Sequence, residues 1–183
     1  MAARLSQPYS NAQVSCRNDI GGIREYLNEL DTNLSILDSS IRTGNSMADA
    51  ILNSKVSLAK AREIDVRVDA HIPVKLKISE IDLCCILGNL FDNAIDASMA
   101  LPPQNRLIRV YMDMKGSRLY ISFTNFTSQK KLGKLGRVFA TTKGLGHGLG
   151  LSRIENIVEK HDGYLSFNSE DGAFTAEILL PQE

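Results

Sequence analysis

Leu87-Gly88-Asn89-Leu90-Phe91-Asp92-Asn93-Ala94-Ile95-Asp96-Ala97 is the stretch whose reading decides the fold. Taken at about 100° per residue as a helix, it has two faces. Leu83, Leu87, Leu90, Ala94 and Ala97 form an apolar stripe, flanked by Phe91 and Ile95. Asn89, Asp92, Asn93 and Asp96 form a second stripe at steps of three and four. A helix face that meets only water usually carries Glu, Lys, Gln or Arg. Asn and Asp compete with the helix backbone and are poor interior residues. Gathered on one face, they point to a held ligand. The plainer alternative is a solvated face of a core helix.

Working outward, Ser79 reads as the N-cap of this helix and Asp82 as its first-turn acid. Leu101-Pro102-Pro103 lies just past its end. Residues 64–69 alternate apolar and polar, which predicts a strand. Residues 108–114 and 119–126 alternate again around the turn Lys115-Gly116-Ser117. Residues 149–161 have helical spacing, Asp162-Gly163 turns the chain, and 164–168 and 174–180 read as closing strands. The order strand, helix, hairpin, loop, helix, hairpin predicts an α/β fold, a two-layer α/β sandwich with a mixed sheet covered on one face by helices.

The N-terminal part reads differently. Residues 1–21 carry no period and are expected to be a tail. Ile23, Tyr26, Leu27, Leu30, Leu34 and Leu37, then Met47, Ile51, Leu52 and Val56, predict two amphipathic helices over residues 22–62. Two helices cannot bury their stripes unaided, so they dock on the following domain or pair with a second copy. The compact domain is expected to span residues 63–183.

Composition narrows the function. The 183 residues are 43% apolar and 23% charged, as expected of a soluble globular chain. The formal net charge is zero, which favours neither nucleic acid nor anionic lipid as partner. No apolar run approaches the ~18 residues of a membrane span. Cys16, Cys84 and Cys85 have no metal spacing and form no even disulfide set, which suits the cytosol.

The second signal is Thr141-Thr142-Lys143-Gly144-Leu145-Gly146-His147-Gly148-Leu149-Gly150-Leu151. Glycines at every second position remove side chains and let N–H groups approach an anion. The helix that follows aims its own free N–H groups at the same place. Beside carboxamides that suit a metal, this phosphate cradle describes a metal–nucleotide site.

With both motifs in hand, residues 63–183 resemble the ATP-binding domain of the GHKL superfamily: gyrase, Hsp90-type chaperones, histidine kinases and MutL. Asn89-Leu-Phe-Asp-Asn93-Ala is similar to its N box, Phe139-Ala-Thr-Thr-Lys143 to its F box, and Gly146-His-Gly148-Leu-Gly150-Leu151 to its G2 box. The resemblance implies the Bergerat ATP-binding fold. ATP-hydrolysing members carry Glu where this chain has Asn89, and an amide cannot serve as a general base. The chain therefore resembles sensor histidine kinases. Thr43-Gly-Asn45 and Ala50-Ile-Leu-Asn-Ser-Lys55 narrow the likeness to the accessory-gene-regulator and citrate-sensor types.

The resemblance implies ATP and Mg²⁺ as ligands. Asn93 coordinates the metal, and Asn89 orients a phosphate or metal-bound water. Thr142, Lys143, Gly146, His147, Gly148, Leu149 and Gly150 hold phosphates, with Asn89 and Lys143 as the catalytic pair. Asp96 also borders the nucleotide. Asn125 stands where the family's adenine-binding Asp is expected, and Thr175 is the residue expected to reach the base through water. His71, His147 and His161 do not sit on a dimerising helix, so the acceptor histidine is expected outside this chain. Implied partners are a phosphoacceptor helix of the same kinase, a downstream response regulator and a second copy joined through residues 22–62, the end of a dimerisation region. The implied setting is the cytoplasmic portion of a membrane-anchored sensor. A GHKL protein-serine kinase acting on an anti-sigma partner, or a nucleotide-binding module without catalysis, are the alternatives.

Overall fold

The computed structural model describes residues 41–128, 134–135, 138–139 and 149–183. The expected tail, the helix over residues 23–37, and Thr142, Lys143, Gly146, His147 and Gly148 lie outside the described residues. In chain order the elements are α1 (Ser46–Ala61), β1 (Asp65–His71), α2 (Glu80–Ser98), a 3-10 turn (Pro103–Asn105), β2 (Leu107–Lys115), β3 (Arg118–Phe126), β4 (Lys134–Leu135), β5 (Val138–Phe139), α3 (Leu149–Lys160), β6 (Tyr164–Glu170) and β7 (Ala173–Pro181).

Five strands form one sheet in the order β1-β2-β3-β7-β6. β1 runs parallel to β2 across the α2 crossover, and the remaining pairs are antiparallel. β4 and β5 form a separate two-stranded pair. The fold is the expected α/β arrangement of a mixed sheet with helices.

Side chains alternate across a strand, so one sheet face carries Ile108, Val110, Met112, Leu119, Ile121, Phe123, Ala176, Ile178 and Leu180, all buried. The α2 stripe of Leu83, Leu87, Leu90, Phe91 and Ala94 packs on them, with the Phe91 and Phe123 rings edge to face at 4.9 Å. A fully buried Phe or Leu contributes about 1.5–3 kcal/mol. The Ser79 hydroxyl accepts from the Asp82 amide and starts the helix as expected. The opposite sheet face carries Arg67, Arg109, Tyr111, Tyr120, Thr124 and Glu177, none of them buried.

α1 shares the core of the domain that follows it. Ile51 and Leu52 of α1 are fully buried in the same core as α2 and the sheet. Of the two expectations for this helix, docking on the following domain or pairing with a second copy, α1 shows the first: it docks on the domain. The approach to α1 is fixed too. Asn45 caps the helix through the Ala48 amide, and its side-chain amide donates to the Val74 carbonyl at 3.0 Å. Asn53 accepts from the Ile41 amide at 2.8 Å and donates back to the Ile41 carbonyl at 3.0 Å. The Thr43 amide and hydroxyl both donate to Asp49 Oδ1, each at 2.7 Å. Gly44 has φ +104°, and a β-carbon there would stand 2.7 Å from the Ile72 carbonyl oxygen. Thr43-Gly-Asn45 is thus a docking turn that only glycine can complete.

Candidate functional site

The polar stripe of α2 divides its work. Asn89 Nδ2 donates to the Cys85 carbonyl one turn back, at 2.6 Å. That bond fixes the amide and turns Oδ1 toward α3. There Gly150, in the first turn of α3, lies so close that a β-carbon would meet Asn89 Oδ1 at 3.0 Å and Asn93 Nδ2 at 3.6 Å. Asn93 Nδ2 is buried and has no hydrogen-bond partner among the described residues. An orphaned buried amide costs roughly 1–3 kcal/mol unless something answers it. Asp92 is used otherwise: its Oδ1 pairs with Lys55 Nζ of α1 at 2.6 Å. Asp96 is exposed.

The first four N–H groups of any helix lack intrahelical acceptors and carry its positive dipole end. For α3 these begin at Leu149 and Gly150, beside Asn89 and Asn93. The structure therefore brings together Asn89, Asn93, Leu149 and Gly150 from two distant stretches of sequence. Among the described residues no three His, Cys, Asp or Glu side chains gather as a metal site. A hard divalent cation here would rest on an amide oxygen and on the ligand's own oxygens, as Mg²⁺ commonly does. A buried amide Nδ2 with no described partner, which can donate to a phosphate oxygen, a neighbouring amide oxygen at Asn89 and the start of a helix held close by Gly150 fit a metal–triphosphate.

At the far end of the same helix pair, α2 and α3 are tied by charge. Asp82 Oδ2 accepts from Lys160 Nζ and from His161 Nε2, both at 2.8 Å. Burial opposes the Asp82 charge, but hydrogen bonds from Lys160, His161 and Ser79 outweigh it and hold the carboxyl below its usual range. Sequence reading gave Asp82 only a first-turn role and did not detect the pairing of Lys55 with Asp92. Partners this far apart in the chain leave no local signal.

Asn125 is buried near the end of β3, and its Nδ2 donates to the Phe126 carbonyl at 3.1 Å. Thr175 does not join it. It pairs with Thr124, one residue out of step with Asn125, and the two hydroxyls are 3.0 Å apart on the opposite sheet face.

Comparison with known proteins decides the family. Residues 78–181, more than half of the chain, match the family model described as the GHKL domain. This chain belongs to the GHKL family. Among its relatives, a probable C4-dicarboxylate sensor kinase of Halalkalibacterium halodurans is 28% identical over 76% of this chain, and the match spans 28% of that protein. Sensor histidine kinase ZraS of Escherichia coli K12 is 33% identical over 67% of this chain and 27% of its own length. The chain thus spans little more than a quarter of these curated relatives. Among solved structures, the catalytic domain of histidine kinase ThkA superposes with a TM-score of 0.59 at 21% identity, covering 77% of this chain and 93% of that one. Acinetobacter baumannii histidine kinase AdeS gives 0.56 at 15% identity, covering 87% and 75%. These likenesses establish a fold shared with histidine kinase catalytic domains. In this GHKL chain the matched residues include α2 from Glu80 and all of α3. No helix among the described residues is long and apolar enough to cross a membrane.

Proposed function

We propose that this GHKL domain binds ATP with Mg²⁺ and passes the γ-phosphoryl group to a histidine outside the chain, as the catalytic domain of a sensor histidine kinase. The observation that carries the reading is Gly150 seated against Asn89 and Asn93, with the Asn93 amide unanswered. Bound Mg²⁺ would neutralise charge on the phosphate oxygens. Asn93 would hold it through its amide oxygen. Asn89, steadied by the Cys85 carbonyl, would orient a phosphate or a metal-bound water. The N–H groups at Leu149 and Gly150 would hold phosphate oxygens, and Lys143, Thr142, Gly146, His147 and Gly148 would complete the cradle. Asp96 would border it.

Residue 89 decides between hydrolysis and transfer. An amide cannot take a proton from water near neutral pH, so position 89 offers no base to activate an attacking water. Phosphoryl transfer asks mainly for position and compensating charge. The incoming imidazole nitrogen bonds to the γ-phosphorus as the bond to the β–γ bridging oxygen breaks, and ADP leaves. The acceptor helix of the same kinase, a response regulator and a second copy are the partners this reading implies. The sequence relatives, sensor kinases by name, support it.

The test is titration calorimetry of ATP and ADP with and without Mg²⁺. The native chain should bind in the micromolar to millimolar range usual for enzyme substrates, more tightly with Mg²⁺. Asn93→Ala should lose the metal dependence. Equal metal-dependent affinity in the variant would refute the role given to Asn93. Steady ATP hydrolysis by the purified chain, abolished by Asn93→Ala, would overturn the assignment to transfer.

A further inference from the structure

The polar stripe of α2 is met by two other helices. α3 meets it at Asn89 and Asn93, through Gly150, and α1 meets it at Asp92, through Lys55. Lys55 Nζ lies 2.6 Å from Asp92 Oδ1, and the two side chains differ in freedom: Lys55 is 12% exposed and Asp92 57%. The ammonium is held in place by its surroundings, and the carboxylate is the partner with room to move. A helical side chain leans over the turn N-terminal to its own position. For Asp92 that is the turn of Gly88 and Asn89. Nothing steric calls for glycine at position 88, since a β-carbon there would meet nothing within 4 Å. Glycine weakens a helix, and here it leaves bare space beside Asp92. No side chain at position 88 holds the carboxylate; Lys55 holds it from another helix.

We infer that Lys55 is a positioning residue of the phosphate site, acting through Asp92. It draws the carboxylate toward α1 and cancels its charge beside Asn89 and Asn93, where the phosphates lie in the nucleotide reading above. The inference rests on that reading and goes beyond it by giving α1 a part in the site. Side chains three and four apart on a helix are neighbours. Asp92 stands three residues after Asn89, and the exposed Asp96 already brings one carboxylate to the same stripe. A second carboxylate there without its ammonium would repel the triphosphate. Metal–ATP carries more negative charge than metal–ADP, so it gains more from the cancellation. Lys55 is committed to Asp92 and works through it, without touching a phosphate.

The test is displacement of a fluorescent ATP analogue by ATP and ADP, both with Mg²⁺, at about 0.1 M and about 1 M salt. It uses the native chain, Lys55→Met, Lys55→Arg, Asp92→Asn and the double variant Lys55→Met with Asp92→Asn. Lys55→Met keeps an apolar stem and bares the Asp92 charge. It should weaken ATP by about three- to tenfold at the lower salt, weaken ADP less, and lose most of that deficit at the higher salt. Lys55→Arg, which keeps the charge, should stay close to the native chain. Asp92→Asn should bind ATP at least as well as the native chain, and adding it to Lys55→Met should restore the affinity. ATP bound equally by the native and Lys55→Met proteins would overturn the inference while leaving the nucleotide reading intact. A double variant as weak as Lys55→Met would overturn it too, since Lys55 would then act by direct contact or by holding α1. Weaker ATP binding by Asp92→Asn, a change at an exposed side chain, would also overturn it. Absence of ATP binding by the native chain would sink the nucleotide reading itself, and the inference with it.

Discussion

At one end of the α2–α3 pair, Asp82 is answered by Lys160 and His161; at the other, Asn93 Nδ2 is answered by no described group. The two ends are joined by the same two helices and share one core, yet they treat polar groups in opposite ways. The Asp82 end supplies the bonds that hold α3 in place. The Asn93 end leaves a buried amide without a described partner, at a cost in stability. Helices anchored firmly at one end can present an unsatisfied group at the other without closing over it.

The largest expected effect comes from breaking the anchored end. Asp82→Ala removes two charge-assisted bonds; with Lys160 largely exposed and able to find water, the cost should be about 2 kcal/mol, read from urea unfolding at pH 7. The sign of its pH dependence follows from the depressed carboxyl. A group whose folded pKa is lowered stabilises above its unfolded value and loses that contribution as pH falls through the folded value. The gap between native and Asp82→Ala proteins should be full at neutral pH and shrink below roughly pH 4. A gap that stays constant down to pH 2 would mean that Asp82 acts by packing.

Breaking the open end should leave stability nearly untouched. Gly150→Ala puts a β-carbon 3.0 Å from the Asn89 amide oxygen, a side-chain end able to yield. Thermal unfolding should change little, because alanine favours helix over glycine by about 1 kcal/mol. ATP affinity should fall about tenfold, ~1.4 kcal/mol. Unchanged affinity would mean that Gly150 serves only helix packing.

The smallest effect separates a functional orphan from an incidental one. Ser98, near the C-terminal end of α2, is fully buried, and its hydroxyl has no partner among the described residues. Ser98→Ala should be neutral or stabilise by up to about 1 kcal/mol, with ATP binding unchanged. Destabilisation in urea would show that the hydroxyl is satisfied in solution.

The legible parts were those written in local patterns. The α2 stripes, the two hairpins and the Ser79 cap are set by residues within a few positions of one another, and all stand in the structure. α1 was visible as an amphipathic helix, but periodicity says that a face is apolar and not what covers it. Its place in the core depended on contacts across the fold. Asp82–His161 and Lys55–Asp92 were hidden for the same reason. Thr175 shows a finer limit. Its strand was found, but a one-residue step reverses which face a side chain occupies. The register that turns Phe174 inward and Thr175 outward is fixed only by pairing with β3 and β6.

The docking turn before α1 has a mechanical meaning. Asn53 binds the amide and carbonyl of Ile41 as a neighbouring strand would, Asp49 holds Thr43, and the Thr43 carbonyl accepts from Ile72 on the body of the domain. Residues 41–45 thus form a keyed joint and not a swivel. A displacement of Ile41 would therefore be met at Asn53, in the middle of α1. The same helix also sends Lys55 to Asp92, the residue next to Asn93. The domain is geared to its own N-terminal connection.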